Sequence, residues 1–413
     1  MDFNSLFNTM IIGKKYFTSK ELKYDKNVGI HLSPYDYKQF VLFKDKEVLK
    51  RDERIYNVLN LKTFNNTGIY FCFSSELIAY LDSYLNLIID DLHEMNKPML
   101  IRNMDDITLS RIYSEVEGTL NIESVPTTRK VVAEIAQGKR DPKSLNEQII
   151  KNMIDGIEFV NKCPDFNEDN LYHLYNILSN GCLDEEDKLI NGNHYRHDGV
   201  EVGGYNGCPF GKIKECMDSL FTFVEENKSN STLLPVLPHI VHYYILYIHP
   251  YFDYNGRTAR MVSYWISLLS NNKALPTIIS EAINQTKGRY YSAISETRDA
   301  DNDLTYFLTY IFDISIDYIL AYKNIEEIDQ MLKNQSIVLS NVEKAYFKKI
   351  LICNKGKFTH NDFSMWIDVN MTKQGALKIL NNFCEYGLLI SNISKSNKKM
   401  FEVDSNVIKY SKQ

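Results

Sequence analysis

From Ser75 to about Tyr386, apolar side chains return every three or four residues, and this period confines the chain to a fold built mainly of helices. Leu77, Ile78, Tyr80, Leu81, Tyr84, Leu85, Leu87 and Ile88 trace the first stripe, with Ser74 or Ser75 as its N-cap. Further helical patterns cover residues 101–112, 129–137, 145–160, 167–178, 212–226, 235–248, 258–269 and 304–324, broken by Gly138, Pro142 and Pro164. Two stretches depart from the pattern. Residues 1–75 give mixed signals, and the runs 29–34 and 67–73 read as short strands or ordered loops. Residues 192–211 are rich in Gly, Asn and His, with Val200 and Val202 alternating around Glu201, which predicts a short hairpin or extended flap.

The chain of 413 residues is 44% apolar and 24% charged, the balance of a globular protein with two or three domains. A net charge of -6 argues against a protein that coats nucleic acid along its whole length. The charge is uneven, however: residues 341–413 hold 12 Lys and no Arg against 6 acidic residues, a basic tail on an acidic body. Seven cysteines with no C-x-x-C spacing fit a reducing cytoplasm better than a disulfide framework or a zinc ribbon. The N-terminus shows no signal peptide, and no apolar run reaches the about 18 residues of a membrane span, so no membrane association is expected.

The tail has its own rhythm. Residues 342–353, 359–369 and 372–386 read as helices, Gly387 stops the third, and 388–393 and 399–403 alternate as two strands around 394–398. That order predicts a C-terminal winged helix-turn-helix. Lys373, Gln374 and Lys378 would face a groove, with Lys395, Lys398 and Lys399 on the wing. Lysine without arginine suits phosphate attraction more than base reading. DNA and a protein partner both remain open for this module. The polar stretch 324–340 is the expected connector.

Residues 249–260, His-Pro-Tyr-Phe-Asp-Tyr-Asn-Gly-Arg-Thr-Ala-Arg, concentrate the chemistry. Pro250 disfavours helix in the residue before it, so His249 closes one helix. A loop running into a second helix leaves backbone N–H groups unpaired, a cradle for an anion. Gly256 lets a phosphate approach the backbone, and Arg257 and Arg260, at i and i+3, can fork onto its oxygens. Asp253 offers a hard oxygen to Mg²⁺, which often takes one or two carboxylates plus phosphates. His249 is available as a general base near neutral pH.

This run resembles the signature of the Fic family (filamentation induced by cAMP), H-P-F-x-[DE]-G-N-G-R-x-x-R. Tyr251 stands in place of Phe, and Tyr254 in place of the first Gly. If that second position needs φ > 0, a tyrosine there carries a steric penalty. The resemblance extends over about residues 100–320. It implies a mainly α Fic helical bundle with a small β-hairpin flap, followed by the winged helix. The expected division is an N-terminal mixed or helical region at 1–100, a catalytic core at 101–323, the connector, and the winged-helix domain at 341–413.

The implied activity is transfer of AMP from Mg-ATP to a Ser, Thr or Tyr hydroxyl of a target protein. His249 would deprotonate the hydroxyl and Asp253 would bind Mg²⁺. Asn255 and the Gly256 backbone would hold the α-phosphate, beside Tyr254, and Arg257 and Arg260 would hold the outer phosphates. The stretch from Asn191 through Arg196 to Gly204 is similar to the family's flap, where Val200, Glu201 and Val202 would pin a target strand. Many relatives also carry an inhibitory helix of pattern [ST]-x-x-x-E-[GN]. Thr119–Ser124 keeps the Thr and Glu123 but ends in Ser, and residues 113–118 keep Glu117 and Gly118 but begin with Tyr; Glu123, paired with Arg260, is the favoured brake. Alternatives are use of another nucleotide, the reverse de-AMPylation, or a nucleotide-sensing DNA-binding regulator with an inactive pocket. The sequence leaves a homo-oligomer open.

Overall fold

The computed structural model describes residues 2–48, 56–65, 68–95, 106–269, 279–354, 356–367, 371–393 and 398–412. The protein is mainly helical, with 17 helices and only small sheets among these residues. The chain divides into two compact units, residues 1–312 and 313–413. No described helix is long and apolar enough to cross a membrane.

In the first unit the N-terminal region is more helical than its sequence suggests, with helices Phe3–Ile12, Ser19–Tyr24 and Pro34–Val48. The run at 29–34 is therefore not a strand. Gly29 takes a left-handed conformation (φ 69°), and Pro34 opens a helix, where its fixed φ and missing N–H cost nothing. The run near 67–73 does supply a strand, Ile69–Cys72, antiparallel to Tyr56–Leu59; residue 67 lies outside the described residues. The N-terminal core gathers Leu6, Phe7, Met10, Leu22, Phe40 and Val41 with Tyr70 and Tyr306. A buried ion pair sits within it: Lys44 Nζ donates to Asp303 at 2.8 Å, and Tyr16 donates to the same oxygen at 2.6 Å. The Tyr16 and Tyr306 rings flank the ammonium at 5.6 and 5.5 Å. Both charges are removed from water, so each depends on the other for its solvation.

Helix Ser75–Met95 starts where expected, with Ser74 accepting the Leu77 N–H at 3.2 Å as N-cap. Helix Asp106–Ile122 follows; residues 101–105 of its expected start lie outside the described residues. Gly118 lets it approach helix Ile279–Gln285, since a Cβ there would stand 2.8 Å from the Glu281 nitrogen. Helices Arg129–Ala136, Leu145–Lys162, Glu168–Ser179, Phe210–Asn227, Leu237–Ile248 and Asn255–Leu269 agree with the periodicity to within a few residues. Leu237–Ile248 is buried on nearly all sides, which makes it the axis of the unit. Helices Ile279–Gln285 and Lys287–Asp299 carried no clear stripe in the sequence.

Helix Thr305–Asn334 runs ten residues beyond the expected end, through the first part of the stretch read as a connector. In the second unit, helices Asn341–Cys353, His360–Ile367 and Lys373–Glu385 precede the antiparallel strands Leu389–Ile393 and Lys399–Val403. Phe358 bridges Phe401, adding a third chain segment to the hairpin. Phe347, Ile350, Phe363, Leu380, Phe383 and Phe401 form the core of this helix–helix–helix–hairpin unit. Residues 368–370 and the hairpin tip at 394–397, with Lys395, lie outside the described residues.

Candidate functional site

The site lies where helix Leu237–Ile248 ends and helix Asn255–Leu269 begins. His249 caps the first helix in a left-handed conformation (φ 54°, ψ 63°), its N–H bonded to Ile245 O at 2.8 Å. The turn that follows is braced by Asn255, whose side chain accepts the Tyr251 N–H at 3.0 Å and donates to the Tyr251 carbonyl at 2.9 Å. The Asn255 side chain is thus committed to shaping the loop, which leaves its main-chain N–H, rather than its side-chain NH2, for an anion. Tyr251 is fully buried and stacks on Tyr175 at 3.8 Å, so the ring expected as phenylalanine fills its slot, with a hydroxyl that finds no partner.

The second helix starts three residues earlier than the periodicity indicated, and its first internal bond runs from the Thr258 N–H to Tyr254 O at 2.9 Å. The N–H groups ahead of Thr258 point out of the helix end as a positive cradle. Tyr254 does occupy the left-handed region, at φ 66°. Its ring is buried and lies 3.4 Å from the Arg257 guanidinium carbon, with its hydroxyl beside the Cys182 thiol. The side chain that replaces glycine is therefore held by packing against the arginine, which offsets part of its backbone strain.

Arg257 is 6% exposed, yet weakly engaged: it reaches Asp253 at 3.3 Å, and its Nε has no partner. A buried donor without an acceptor is costly, and an anion at this position would satisfy it. Asp253 is exposed at the mouth of the loop. A single outward carboxylate beside an anion cradle fits Mg²⁺ shared with phosphates; no cluster of three or more metal-binding side chains occurs among the described residues.

Arg260 is buried and held by Thr119 and Glu123. Nε donates to Thr119 Oγ1 at 2.7 Å, and Nη2 donates to Thr119 O at 3.3 Å and to Glu123 Oε1 at 2.6 Å. Thr119 and Glu123 come from the end of helix Asp106–Ile122 and the turn after it, where Ser124 is left-handed. Burial pushes the Glu123 carboxyl up, but Arg260, with Arg257 and Lys287 behind it, wins and holds it below its ordinary range. The same carboxylate presses on the cradle, because a Cβ on Gly256 would lie 2.6 Å from Glu123 Oε1. Of the two glutamates weighed from sequence, Glu123 reaches Arg260, while Glu117 is half-buried earlier on the helix. Glu115, not singled out in the sequence, accepts the Ser280 N–H at 3.1 Å, and burial pushes its carboxyl up to about 7.

Burial pulls the His249 imidazole down to about 4, and the Arg196 guanidinium adds to the effect. It is neutral at physiological pH, the form that accepts a proton. The expected flap is a two-residue hairpin, Glu201–Val202 paired with Tyr205–Asn206 and turned by Gly203 and Gly204 at positive φ. Val200 stands one residue outside the pairing; Glu201 and Val202 are exposed. Sequence reasoning missed Lys287, which bonds Ser124, and Tyr290, which bonds His242 at 2.9 Å and adjoins Arg260. Both lie on a helix with no local signal pointing to the loop.

The architecture defines a mainly helical protein with an anion cradle, a neutral histidine and a hairpin gathered at one loop. Residues 165–267 match the model of the Fic/DOC family, so this segment of the chain is a Fic domain. It is similar to the protein adenylyltransferase Fic of Drosophila mojavensis, at 25% identity over 283 residues. That match covers 64% of this chain and 53% of the relative, so the chain spans about half the length of the curated protein it matches. Among solved structures it is similar to a Fic family protein from Desulfovibrio desulfuricans G20, with a TM-score of 0.49 at 19% identity, covering 81% of this chain and 98% of that one. Another is Fic-1 from C. elegans, with a TM-score of 0.46 at 20% identity, covering 63% and 73%.

Proposed function

We propose that the chain transfers AMP from ATP to a side-chain hydroxyl of a target protein, and that Glu123 restrains the transfer. The observation that supports this most directly is the buried, under-engaged Arg257 at the helix N-terminus, set in one short loop with a neutral His249. The relative's name, a protein adenylyltransferase, points the same way. His249 takes the proton of the incoming hydroxyl, whose oxygen attacks the α-phosphorus. The bond to the β-phosphate oxygen breaks, pyrophosphate leaves, and AMP stays on the target. The N–H groups at the start of helix Asn255–Leu269 take the charge that develops on the α-phosphate, while Arg257 and Arg260 hold the outer phosphates. Asp253 would hold Mg²⁺, which supplies charge neutralisation across the phosphates.

Glu123 competes for the same ground. Its carboxylate already occupies Arg260 and the space against Gly256, so an outer phosphate must displace it to reach that guanidinium. The populated resting state is accordingly the restrained one. The test is incubation of the Glu123→Gly chain with ATP labelled at either the α- or the γ-phosphate. Covalent label from the α position alone supports adenylyl transfer. Label from the γ position would mean phosphoryl transfer, and bound ATP with no covalent product would leave a nucleotide-sensing module.

For the second unit, the exposed side chains of Lys373, Gln374 and Lys378 on helix Lys373–Glu385 favour contact with DNA phosphates. A gel shift that weakens steeply with salt supports that reading, and no shift at low salt assigns the face to a protein partner.

A further inference from the structure

The hairpin is joined to the body by two legs, near residues 196–198 and 207–208, and both legs meet the backbone around His249. The Arg196 N–H donates to Pro250 O at 3.0 Å, and the Cys208 N–H donates to Ile248 O at 3.2 Å. Between them, Arg196 Nε donates to the carbonyl of His249 itself at 2.7 Å. Three consecutive carbonyls are therefore held by the hairpin's legs. The other guanidinium nitrogens turn back onto the legs, to Asp198 O and Cys208 O. Arg196 is 2% exposed, and these hydrogen-bond partners are all main-chain carbonyls.

This arrangement spends a buried charge on backbone geometry. Burying a guanidinium is unfavourable unless its donors are satisfied, and only a planar fork can serve carbonyls on three sides. What it secures is an uncommon conformation, since a left-handed histidine is sterically strained and persists only where its surroundings over-determine it. The fit is close: a Cβ on Gly207 would stand 3.0 Å from Arg196 Nη2 and 3.4 Å from His249 Cβ.

We propose that Arg196 is a positioning residue whose guanidinium holds His249 in its left-handed conformation and ties the hairpin to the same peptide. A segment docked on the hairpin and the imidazole then keep a fixed separation. The inference rests on the reading of His249 as the base. It is supported by the charge effect at the imidazole, which faces Arg196, Asp253 and Arg298.

The experiment compares Arg196→Lys and Arg196→Ala, each in the Glu123→Gly chain, by two kinds of readout. The first needs no turnover: the imidazole titration of His249 by NMR, assigned with His249→Gln, and amide exchange over residues 197–207. Both variants should raise the His249 midpoint (Ala by removing the nearby charge, Lys by moving it) and speed exchange in the hairpin. ATP binding by calorimetry should stay within about twofold of the parent, because Arg196 touches no part of the cradle. The second readout is transfer itself, where the maximal rate should fall about 10²-fold with the KM for ATP unchanged, the signature of a misplaced base. Parent-like titration and exchange in Arg196→Lys would overturn the proposal, as would a parallel loss of ATP binding in both variants. If the Glu123→Gly chain transfers no AMP, the proposed function fails, while titration and exchange still decide the role of Arg196.

Discussion

Removing the Glu123 carboxylate should tighten ATP binding while weakening the empty protein. The contact at stake is a charge-assisted hydrogen bond of 2.6 Å to a buried Arg260, with the Glu123 side chain 28% exposed. Hydrogen bonds to charged groups contribute about 1.5–3 kcal/mol, and the partial exposure places this one in the lower half of that range. If an outer phosphate must displace the carboxylate, about 1.5–2 kcal/mol is withheld from ATP, and Glu123→Gly should raise affinity about 10–30-fold. The substitution lies just past helix Asp106–Ile122, so glycine costs little helix propensity there. Without nucleotide, Arg260 keeps Thr119 but loses its counter-charge, and the variant should melt below the parent. Calorimetry with ATP and thermal melts with and without it measure the two effects, which have opposite signs. A fall in melting temperature with unchanged ATP affinity would refute the reasoning, leaving Glu123 as a structural prop. A gain in affinity from Glu117→Gly instead would move the brake to that residue.

Four further outcomes follow from the loop and the helix that leads into it. Because partial burial and Arg196 set His249 at about 4, transfer should be flat from about pH 6 to 8 and fall only in acid; a midpoint near 7 would contradict that environment for the base. Buried His239 and His242 and half-buried His249 bind protons more weakly when folded than at the ordinary 6.5, so the unfolded state takes up more protons and stability should fall as pH drops from about 6.5 toward 4, as acid denaturation would record. Gly256→Ala should destabilise by about 1–3 kcal/mol through its clash with Glu123, and most of that cost should vanish in the Glu123→Gly background; strict additivity in a double-mutant cycle would exclude the contact. Tyr254→Gly and Tyr254→Ala both lose the buried ring, but only alanine retains the left-handed penalty, so alanine should be less stable by about 1 kcal/mol; equal losses would contradict strain at that position.

What the sequence discloses is what is local. The helices around the site have continuous apolar stripes, and the loop's functional groups lie within one twelve-residue run, so both could be read without a structure. The steric question posed by Tyr254 was legible too, because a Gly position in a turn implies a positive φ. The Glu123–Arg260 contact spans 137 residues, and only the family pattern, not any spacing, indicated it. Lys44 and Asp303 lie 259 residues apart, and no feature near either residue announces the pair. Helices Phe3–Ile12 and Pro34–Val48 are stabilised largely by packing on one another and on Tyr70 and Tyr306, so their own patterns were too weak to distinguish helix from loop. Arg196 is the sharpest case, since its identity was visible but its three carbonyl partners exist only once the hairpin has folded back.

In the proposed function this loop performs nucleotidyl transfer under restraint by Glu123, with His249 as the base. This function is tested most directly by following α-labelled ATP with Mg²⁺ onto the protein itself and onto lysate proteins. The chains to compare are the parent, Glu123→Gly, and Glu123→Gly with His249→Ala. Faint label is expected with the parent, strong label with Glu123→Gly, and none when His249 is also removed although ATP still binds. Equal labelling by the parent and Glu123→Gly would contradict the restraint, and undiminished labelling without His249 would contradict the base.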